Sequence, residues 1–328
     1  MREWIYRALA ALSLLGLAGL PAGAAEDRIK VGYSGSLCEG PVHIAIEKGF
    51  FAGEGLEVEP VRLAPGTAFE AIATGQIDAS FGLLATLIQP LSNGLPIKIT
   101  TGLHTGCDKL LVKKDSGIGE LADLKGKRIG VPSLTSSPIM FAKRGLAAAG
   151  VGVGDKNLEV EFIVFTNPEL PLALERGAID AISANDPVAA RAAKEYDLNV
   201  ILDSARDEPY RQQYCCAAYV SLDLAANRPE SAAKYTRAMQ KAAAWVQGNQ
   251  DEAARIQVEK NYVPGDPEFN AAVLKTFNYI PSVKRAYEGF GVTAVELKDI
   301  GVLGEGVDID YLQKNSFAFL PGVADSVE

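Results

Sequence analysis

Two short stretches, far apart in the chain, follow the same pattern and constrain the fold more than any other part of the sequence. Gly75-Gln-Ile-Asp78 and Gly177-Ala-Ile-Asp180 each place a glycine at the end of a helical pattern, and an acidic residue then precedes a short apolar strand. The repetition predicts two lobes built on the same α/β plan.

The first predicted strand ends in a polar loop. Residues 30–33 predict a strand, residues 34–40 a loop of small polar residues, and Pro41 stands where the first turn of a helix accepts proline. In open α/β sheets ligands bind at this end of the strands, against helix N-termini. We therefore expect a binding loop here.

The N-terminus has the features of a secretory signal. Arg2 and Arg7 flank the start of an apolar run that continues to Leu20, and Ala22-Gly-Ala24 supplies small residues for cleavage. We predict a signal peptide over residues 1–24 and a periplasmic mature protein. The alternative is a short membrane anchor, although the run is too short to cross a bilayer easily.

Composition narrows the class of protein. A net charge of −9 argues against nucleic-acid and anionic-membrane partners. The 48% hydrophobic composition is that of a globular protein. The chain has only 2 histidines and lacks the G-x-S-x-G, H-E-x-x-H and Walker patterns. We expect a monomer without enzymatic activity, cofactor or metal, in which His43 is a packing residue.

The second lobe repeats the loop chemistry of the first. A strand of this lobe is followed by a loop, residues 133–137, with four hydroxyl side chains at a helix start. Asn185-Asp186-Pro187 again places helix-capping side chains directly before a proline at a helix start. Residues 104–107 interrupt a strand and mark the change of lobe, while residues 215–221 predict the strand that returns. After Pro229 the chain is predicted to be helical and to pack round the first lobe.

Several motifs together carry a family resemblance. They are His43-Ile-Ala-Ile-Glu-Lys-Gly-Phe-Phe51, Gly75–Asp78, Asp123-Leu-Lys-Gly-Lys-Arg-Ile-Gly130, and Gly177–Asp180 with Asp186-Pro187. With the predicted signal peptide, they make the chain resemble the periplasmic solute-binding proteins of ABC importers, in the nitrate, sulfonate, taurine and thiamine-precursor (NMT1-like) group.

The resemblance implies an α/β fold of two lobes, each a mostly parallel sheet flanked by helices, joined by two crossing strands. Lobe 1 comprises residues 25–107 plus 218–328, and lobe 2 comprises residues 108–217. A small-molecule ligand is held in the cleft by hinge closure and delivered to an ABC permease in the inner membrane. A periplasmic sensor partner would use the same fold.

The resemblance also assigns the cleft lining, position by position. The residues are Ser34, Ser36, Cys38, Leu84, Thr86, His104, Cys107, Thr135, Ser136, Ser137, Asn185 and Asp186. The loops that carry them contain no lysine or arginine, so hydroxyls and helix N-termini would have to hold an anion. Glu39 and Asp186 suit an amino group better. We expect a small polar organic solute, with a sulfonate, an amine or a heterocycle, rather than nitrate. Each hydroxyl taken alone is better explained by plain helix capping, and only the convergence of several on one cleft favours ligand binding.

Four cysteines map to the predicted cleft and crossings: Cys38, Cys107, Cys215 and Cys216. Four cysteines allow three pairings, and the sequence does not choose among them. One or two disulfides near the hinge suit an oxidising compartment. The alternatives are buried free thiols, or a thiolate site for a soft ion such as Cu(I) or arsenite with His104 nearby.

An enzymatic alternative comes from the same resemblance. The pyrimidine synthase of thiamine biosynthesis carries a cysteine cluster at the position of Cys215 and Cys216. Its cofactor-linked lysine and reactive histidine would fall near Leu84 and Ile88, which are aliphatic here and form no Schiff base.

Overall fold

The computed structural model describes residues 27–64, 66–154 and 156–326. The predicted signal peptide, residues 1–24, lies outside the described residues. In chain order the strands are β1 (Arg28–Tyr33), β2 (Glu57–Arg62), β3 (Ala79–Leu83), β4 (Ile97–Thr105), β5 (Asp108–Lys113), β6 (Arg128–Val131), β7 (Glu161–Val164), β8 (Ala181–Asn185), β9 (Leu198–Asp203) and β10 (Tyr214–Ser221).

The strands form two sheets with equivalent orders, β2-β1-β3-β10-β4 and β7-β6-β8-β5-β9. In the first sheet β1 is parallel to β2 and β3, and β10 is antiparallel to β3 and β4. In the second sheet β6 is parallel to β7 and β8, and β5 is antiparallel to β8 and β9. Each sheet thus receives one antiparallel strand from the chain segment that crosses over from the other sheet.

Helices flank both sheets. They are α1 (Gly40–Glu47), α2 (Phe50–Gly53), α3 (Ala68–Ala73), α4 (Leu84–Ser92), α5 (Ser137–Ala148), α6 (Leu170–Glu175), α7 (Val188–Glu195), α8 (Leu222–Asn227), α9 (Pro229–Gly248), α10 (Gln250–Glu259), α11 (Pro267–Leu274), α12 (Val283–Asp299) and α13 (Ile309–Ser316). Helices α9, α12 and α13 contact β4, so the predicted helical C-terminal part packs on the first sheet. Within the described ranges, no helix has the length and apolar character needed to cross a membrane.

The two repeated motifs make the same contacts in both lobes. The Asp78 carboxylate accepts the backbone N–H of Lys30 at 2.7 Å, and the Asp180 carboxylate accepts that of Arg128 at 2.9 Å. The motif glycines, Gly75 and Gly177, have φ of 73° and 71°, the left-handed conformation that ends a helix. Each motif therefore ends one helix and ties the next strand to its parallel neighbour, β3 to β1 and β8 to β6, and this confirms the common plan.

Each motif isoleucine is accommodated by a glycine in the neighbouring strand. A Cβ at Gly32 in β1 would lie 2.7 Å from Cδ1 of Ile77, and a Cβ at Gly130 in β6 would overlap Cδ1 of Ile179. Both isoleucines are buried. These glycines allow the helix that precedes each motif to approach its sheet closely.

The return strand β10 lies in the first sheet, as the sequence predicts, but the predicted interruption at His104 is wrong in its position. Strand β4 continues to Thr105, and His104 pairs with Cys216 of β10. The ladder extends because β10 supplies a partner that is distant in sequence. The turn between the lobes is reduced to Gly106 and Cys107.

Candidate functional site

Two chain segments cross between the sheets, one over residues 105–108 and the other over residues 203–214. A disulfide between Cys107 and Cys215 joins them, with Cα atoms 6.7 Å apart. The hydroxyl of Ser204 accepts the backbone N–H groups of Cys107 and Asp108 at 3.0 and 2.8 Å. The two crossings are therefore held side by side by one covalent bond and by hydrogen bonds.

The carboxyl group of Asp108 lies at the centre of the second lobe's polar loops. The Ser137 hydroxyl donates to Oδ2 at 2.5 Å, and the Asn185 amide donates to Oδ1 at 2.5 Å. Burial raises the pKa of Asp108 to about 7, against the effect of the Ser137 hydrogen bond, and the charges of Cys38 and Asp186 add to the rise. Asp108 therefore changes between hydrogen-bond donor and acceptor near neutral pH.

Asp186 is paired inside the protein. One of its oxygens forms an ion pair with the ammonium group of Lys109, and the other accepts the backbone N–H of Ala190 at 3.0 Å. Burial raises the pKa of Asp186, while the charge of Lys109 acts against it. Lys109 was not predicted from the sequence, because it enters this site from strand β5 and not from a loop.

Glu39 is likewise satisfied by its own loop. Its carboxylate accepts the backbone N–H groups of Ser34, Gly35 and Ser36 at 2.9, 2.5 and 2.9 Å, and the Ser34 hydroxyl at 2.8 Å. Burial opposes ionisation, but the hydrogen bonds from His43, Ser34 and Ser36 outweigh it and lower the pKa of Glu39. The amide groups that we expected to face a ligand instead bind this carboxylate.

Cys38, His104 and Cys216 form a second cluster, in the first lobe. Their sulfurs and a ring nitrogen of His104 lie within 4.8 Å of one another, and all three residues are buried. A hydrogen bond from Cys216 lowers the pKa of Cys38 to about 5, whereas burial raises the pKa of Cys216. Cys38 and Cys216 are free cysteines, so the structure contains one of the disulfides that the sequence allows.

The remaining predicted lining residues do not converge in the same way. Leu84 is 1% exposed in the hydrophobic core, because α4 begins at Leu84 directly after β3, so Leu84 and Thr86 lie in a helix and not in a loop. The Thr86 hydroxyl donates to the carbonyl of Leu83 at 2.8 Å, and that of Ser136 to the carbonyl of Ser133 at 2.8 Å. Thr135 is exposed. These hydroxyls mainly stabilise their own turns.

Sequence reasoning missed Asp108 and Lys109, although a signal was available. Two charged residues stand directly before the apolar run Leu110-Leu-Val112. Asp108 and Lys109 are 5% and 6% exposed, and charged groups are almost never fully buried unless they are paired. A charged pair at the start of a buried strand is therefore a feature that a sequence-based search can use.

The two lobes also contact each other beside the crossings. Arg144 of α5 donates its Nε to Glu296 of α12 at 2.7 Å and also contacts Gln213. Its guanidinium lies 5.1 Å from the ring centroid of Tyr210. On the other side, Arg191 and Lys194 of α7 lie over the ring of Phe269 in α11.

Two α/β lobes with equivalent strand orders, joined by paired crossings with polar loops gathered around them, define the class of two-lobe periplasmic binding protein folds. The structure of the periplasmic aliphatic sulphonate binding protein SsuA from Escherichia coli has this fold. It matches with a TM-score of 0.72 and 17% sequence identity, over 92% of this chain and 95% of that chain.

The family model described as NMT1/THI5 like matches residues 39–253, and the chain belongs to this family. A candidate thiamine biosynthesis protein of Haemophilus influenzae is 28% identical over 238 residues, which is 69% of this chain and 71% of that protein. A candidate aliphatic sulfonates-binding protein of Bacillus subtilis is 25% identical over 267 residues, or 78% and 77%. The resemblance drawn from the sequence motifs is confirmed.

Proposed function

We propose that the chain is a periplasmic solute-binding protein, which captures a small polar organic solute between its lobes and delivers it to an ABC permease. The observation that carries the proposal is the gathering of Ser137 and Asn185 around Asp108 at the crossings, close enough to Cys38 of the first lobe for its charge to act on Asp108. The family of the chain and the predicted signal peptide support a transport role outside the cytoplasm. The lobe boundaries at residues 107 and 217 are part of this proposal.

The charges at the crossings favour an amine-bearing or heterocyclic solute over a sulfonate. Glu39 is hydrogen-bonded by its own loop and Asp186 is paired with Lys109, so of these three acids Asp108 is the one left to meet a ligand. An ionised Asp108 would repel an anionic ligand, whereas its oxygens would accept a hydrogen bond from an amine or a ring N–H. Asn185, half-buried and bonded to Asp108, is the residue best placed to contact such a ligand.

A thermal-shift screen tests the class of solute. The mature protein would be exposed to primary amines, pyrimidines, sulfonates and nitrate, and hits would be measured by calorimetry. A ligand at about a hundred times its dissociation constant adds about 2.7 kcal/mol to the free energy of unfolding. We expect shifts with amines or pyrimidines. A shift with sulfonates alone would refute the proposed ligand chemistry, and no shift with any of these compounds would refute solute binding of this class.

A substitution at Asn185 tests whether the solute binds at the crossings. Asn185→Ala should weaken binding by about tenfold, since it removes one hydrogen bond to the ligand. Asn199→Ala is the matched control, because Asn199 is an exposed asparagine on β9 of the same lobe. Equal affinities of the two variants would move the binding site away from the crossings.

We propose that this chain binds a solute and does not catalyse the reaction of the pyrimidine synthase branch of the family. Leu84 and Ile88 are buried aliphatic residues of α4, at the positions where the resemblance places a cofactor-linked lysine and a reactive histidine. Without a lysine at that position no cofactor Schiff base forms there. An absorbance band of a bound cofactor in the purified protein would contradict this assignment.

A further inference from the structure

Three side chains converge from separate elements of the first lobe, and two of them, Cys38 and His104, belong to the cleft lining that the resemblance implies. Cys38 lies in the 3-10 turn Leu37–Glu39 after β1, His104 in β4 and Cys216 in β10. His104 and Cys216 are directly paired across the antiparallel strands, so their side chains extend from the same face of the sheet. Their donor atoms and the Cys38 sulfur all lie within 4.8 Å of one another.

The His104 ring is held with one nitrogen available. Nδ1 lies 3.3 Å from the carbonyl oxygen of Thr105, while Nε2 is buried and has no hydrogen-bond partner among the described residues. A proton on Nδ1 satisfies that carbonyl and leaves a lone pair on Nε2. The rings of Phe277 and Tyr279 pack against the imidazole, with centroids 5.3 and 5.0 Å away, and fix its orientation. A histidine ligand of a metal is oriented in this manner.

The chemistry of the donors selects the ion. Thiolate sulfur and imidazole nitrogen are soft and borderline ligands, which suit Cu(I) and Zn(II) and do not suit Mg²⁺ or Ca²⁺. Structural zinc sites are almost always four-coordinate. Here the described residues bring three such donors together, in surroundings of aromatic and aliphatic side chains.

We propose that Cys38, His104 and Cys216 form a binding site for one Cu(I) ion, with two sulfur ligands and one nitrogen ligand. Binding displaces any remaining thiol proton to solvent and gives the unpaired Nε2 of His104 a partner. Cys38 is 6% exposed, and the hydroxyl oxygen of the half-buried Ser36 lies 3.1 Å from its sulfur. This proposal rests on the three donor side chains and does not depend on the solute proposed above.

The adjacent cysteine Cys215 takes no part, because neighbouring residues of a strand point to opposite faces of the sheet. Its sulfur is bonded to Cys107, which leaves Cys216 as a free thiol on the other face. The mature protein, purified without reductant and unfolded, should therefore titrate with two free thiols. A titration that finds none would mean that Cys38 and Cys216 form a second disulfide, and it would overturn the proposal.

Copper binding is measured without oxygen, by transfer of Cu(I) from a coloured Cu(I)–bathocuproine disulfonate complex to the unreduced protein. We expect one Cu(I) per chain, and an X-ray absorption spectrum with two sulfur neighbours and one nitrogen neighbour. Cys38→Ser, Cys216→Ser and His104→Gln should each weaken binding by at least about tenfold. His43→Gln is the control, because His43 is the other buried histidine of the same lobe and lies outside the cluster.

The X-ray absorption spectrum of the unmodified protein with Cu(I) tests the proposal even if a variant fails to fold. Failure to take Cu(I) from the dye complex, or a spectrum without sulfur neighbours, would overturn the site. Tighter binding of Zn(II) than of Cu(I) would overturn the assignment to a monovalent ion. None of these results alters the solute screen, so the two proposals fail independently.

Discussion

Glu39 illustrates how a single side chain changes what a loop can bind. A polar loop between a strand and a helix N-terminus is a common anion site, because its amide groups point outward. In this protein the Glu39 carboxylate occupies that position and accepts the amides of Ser34, Gly35 and Ser36. The loop is ordered by its own acid, and this reduces its capacity to hold a sulfonate or nitrate.

Asp108 gives a pH-dependent prediction. Its folded-state pKa of about 7 is above the ordinary value of 3.8, so the folded protein retains a proton that the unfolded chain loses. The stability contribution is complete below pH 3.8 and is lost as the pH rises towards 7. Asp108→Asn removes the ionisable group but keeps a hydrogen-bonding amide. We expect the variant to be more stable than the wild type at pH 8, by up to about 4 kcal/mol, and equal to it below about pH 4.

Urea unfolding at a series of pH values measures this difference. Burial raises the pKa of Asp108 most and the Ser137 hydrogen bond lowers it; the charges of Cys38 and Asp186 raise it further and that of Lys109 lowers it. All of these groups are retained in the variant. Asp299→Asn serves as the control, since Asp299 is exposed on α12. A stability difference between Asp108→Asn and wild type that does not change with pH would contradict the prediction.

At the scale of elements, the two crossings join the two similar sheets and bring their loops to one region. Each supplies an antiparallel strand to the sheet that it enters, β5 or β10. The disulfide Cys107–Cys215 closes a loop with a sequence separation of 108 residues, which contains most of the second lobe. A cross-link over so long a loop restricts the unfolded chain strongly.

Replacing both bridged cysteines with serine should therefore lower the free energy of unfolding by about 2–5 kcal/mol. Denaturant unfolding of wild type, with and without reductant, measures the effect. Reductant should destabilise the wild type by a similar amount and leave the double variant unchanged. Equal stability of oxidised wild type and the variant would show that the bridge does not restrict the unfolded chain.

At the scale of the whole molecule, contacts on both sides of the crossings hold the lobes together. On one side Arg144 of α5 contacts Glu296 of α12 and Gln213. On the other side Arg191 and Lys194 of α7 lie over Phe269 of α11. The hinge motion that the family resemblance implies would require these contacts to separate.

Arg144→Met tests one of these contacts. Arg144 is 9% exposed, and its replacement leaves Glu296 without its ion pair. Because the Glu296 side chain is 29% exposed, we expect the contact between the lobes to be weakened by about 1–3 kcal/mol. Small-angle X-ray scattering should show a larger radius of gyration for the variant. Arg176→Met, at an exposed arginine at the end of α6, is the control. An unchanged radius of gyration for Arg144→Met would show that this contact does not hold the lobes closed.

The sequence determined the parts of this protein that depend on local pattern. Alternating and helical periodicities, together with glycine at helix ends, predicted the strand and helix order and the equivalence of the two lobes around Asp78 and Asp180. Such features depend on residues that are close in the chain. They also carried the family resemblance, since its motifs are short and local.

The tertiary structure alone decided which distant side chains meet. The sequence placed all four cysteines near the crossings but left their pairing open; strand β10 directs Cys215 towards Cys107 and leaves Cys216 beside Cys38 and His104. It also brought Lys109 to Asp186, so an acid expected to meet a ligand is neutralised by the protein. These outcomes depend on strand register and on the face of the sheet, which are fixed by pairing between segments far apart in the chain.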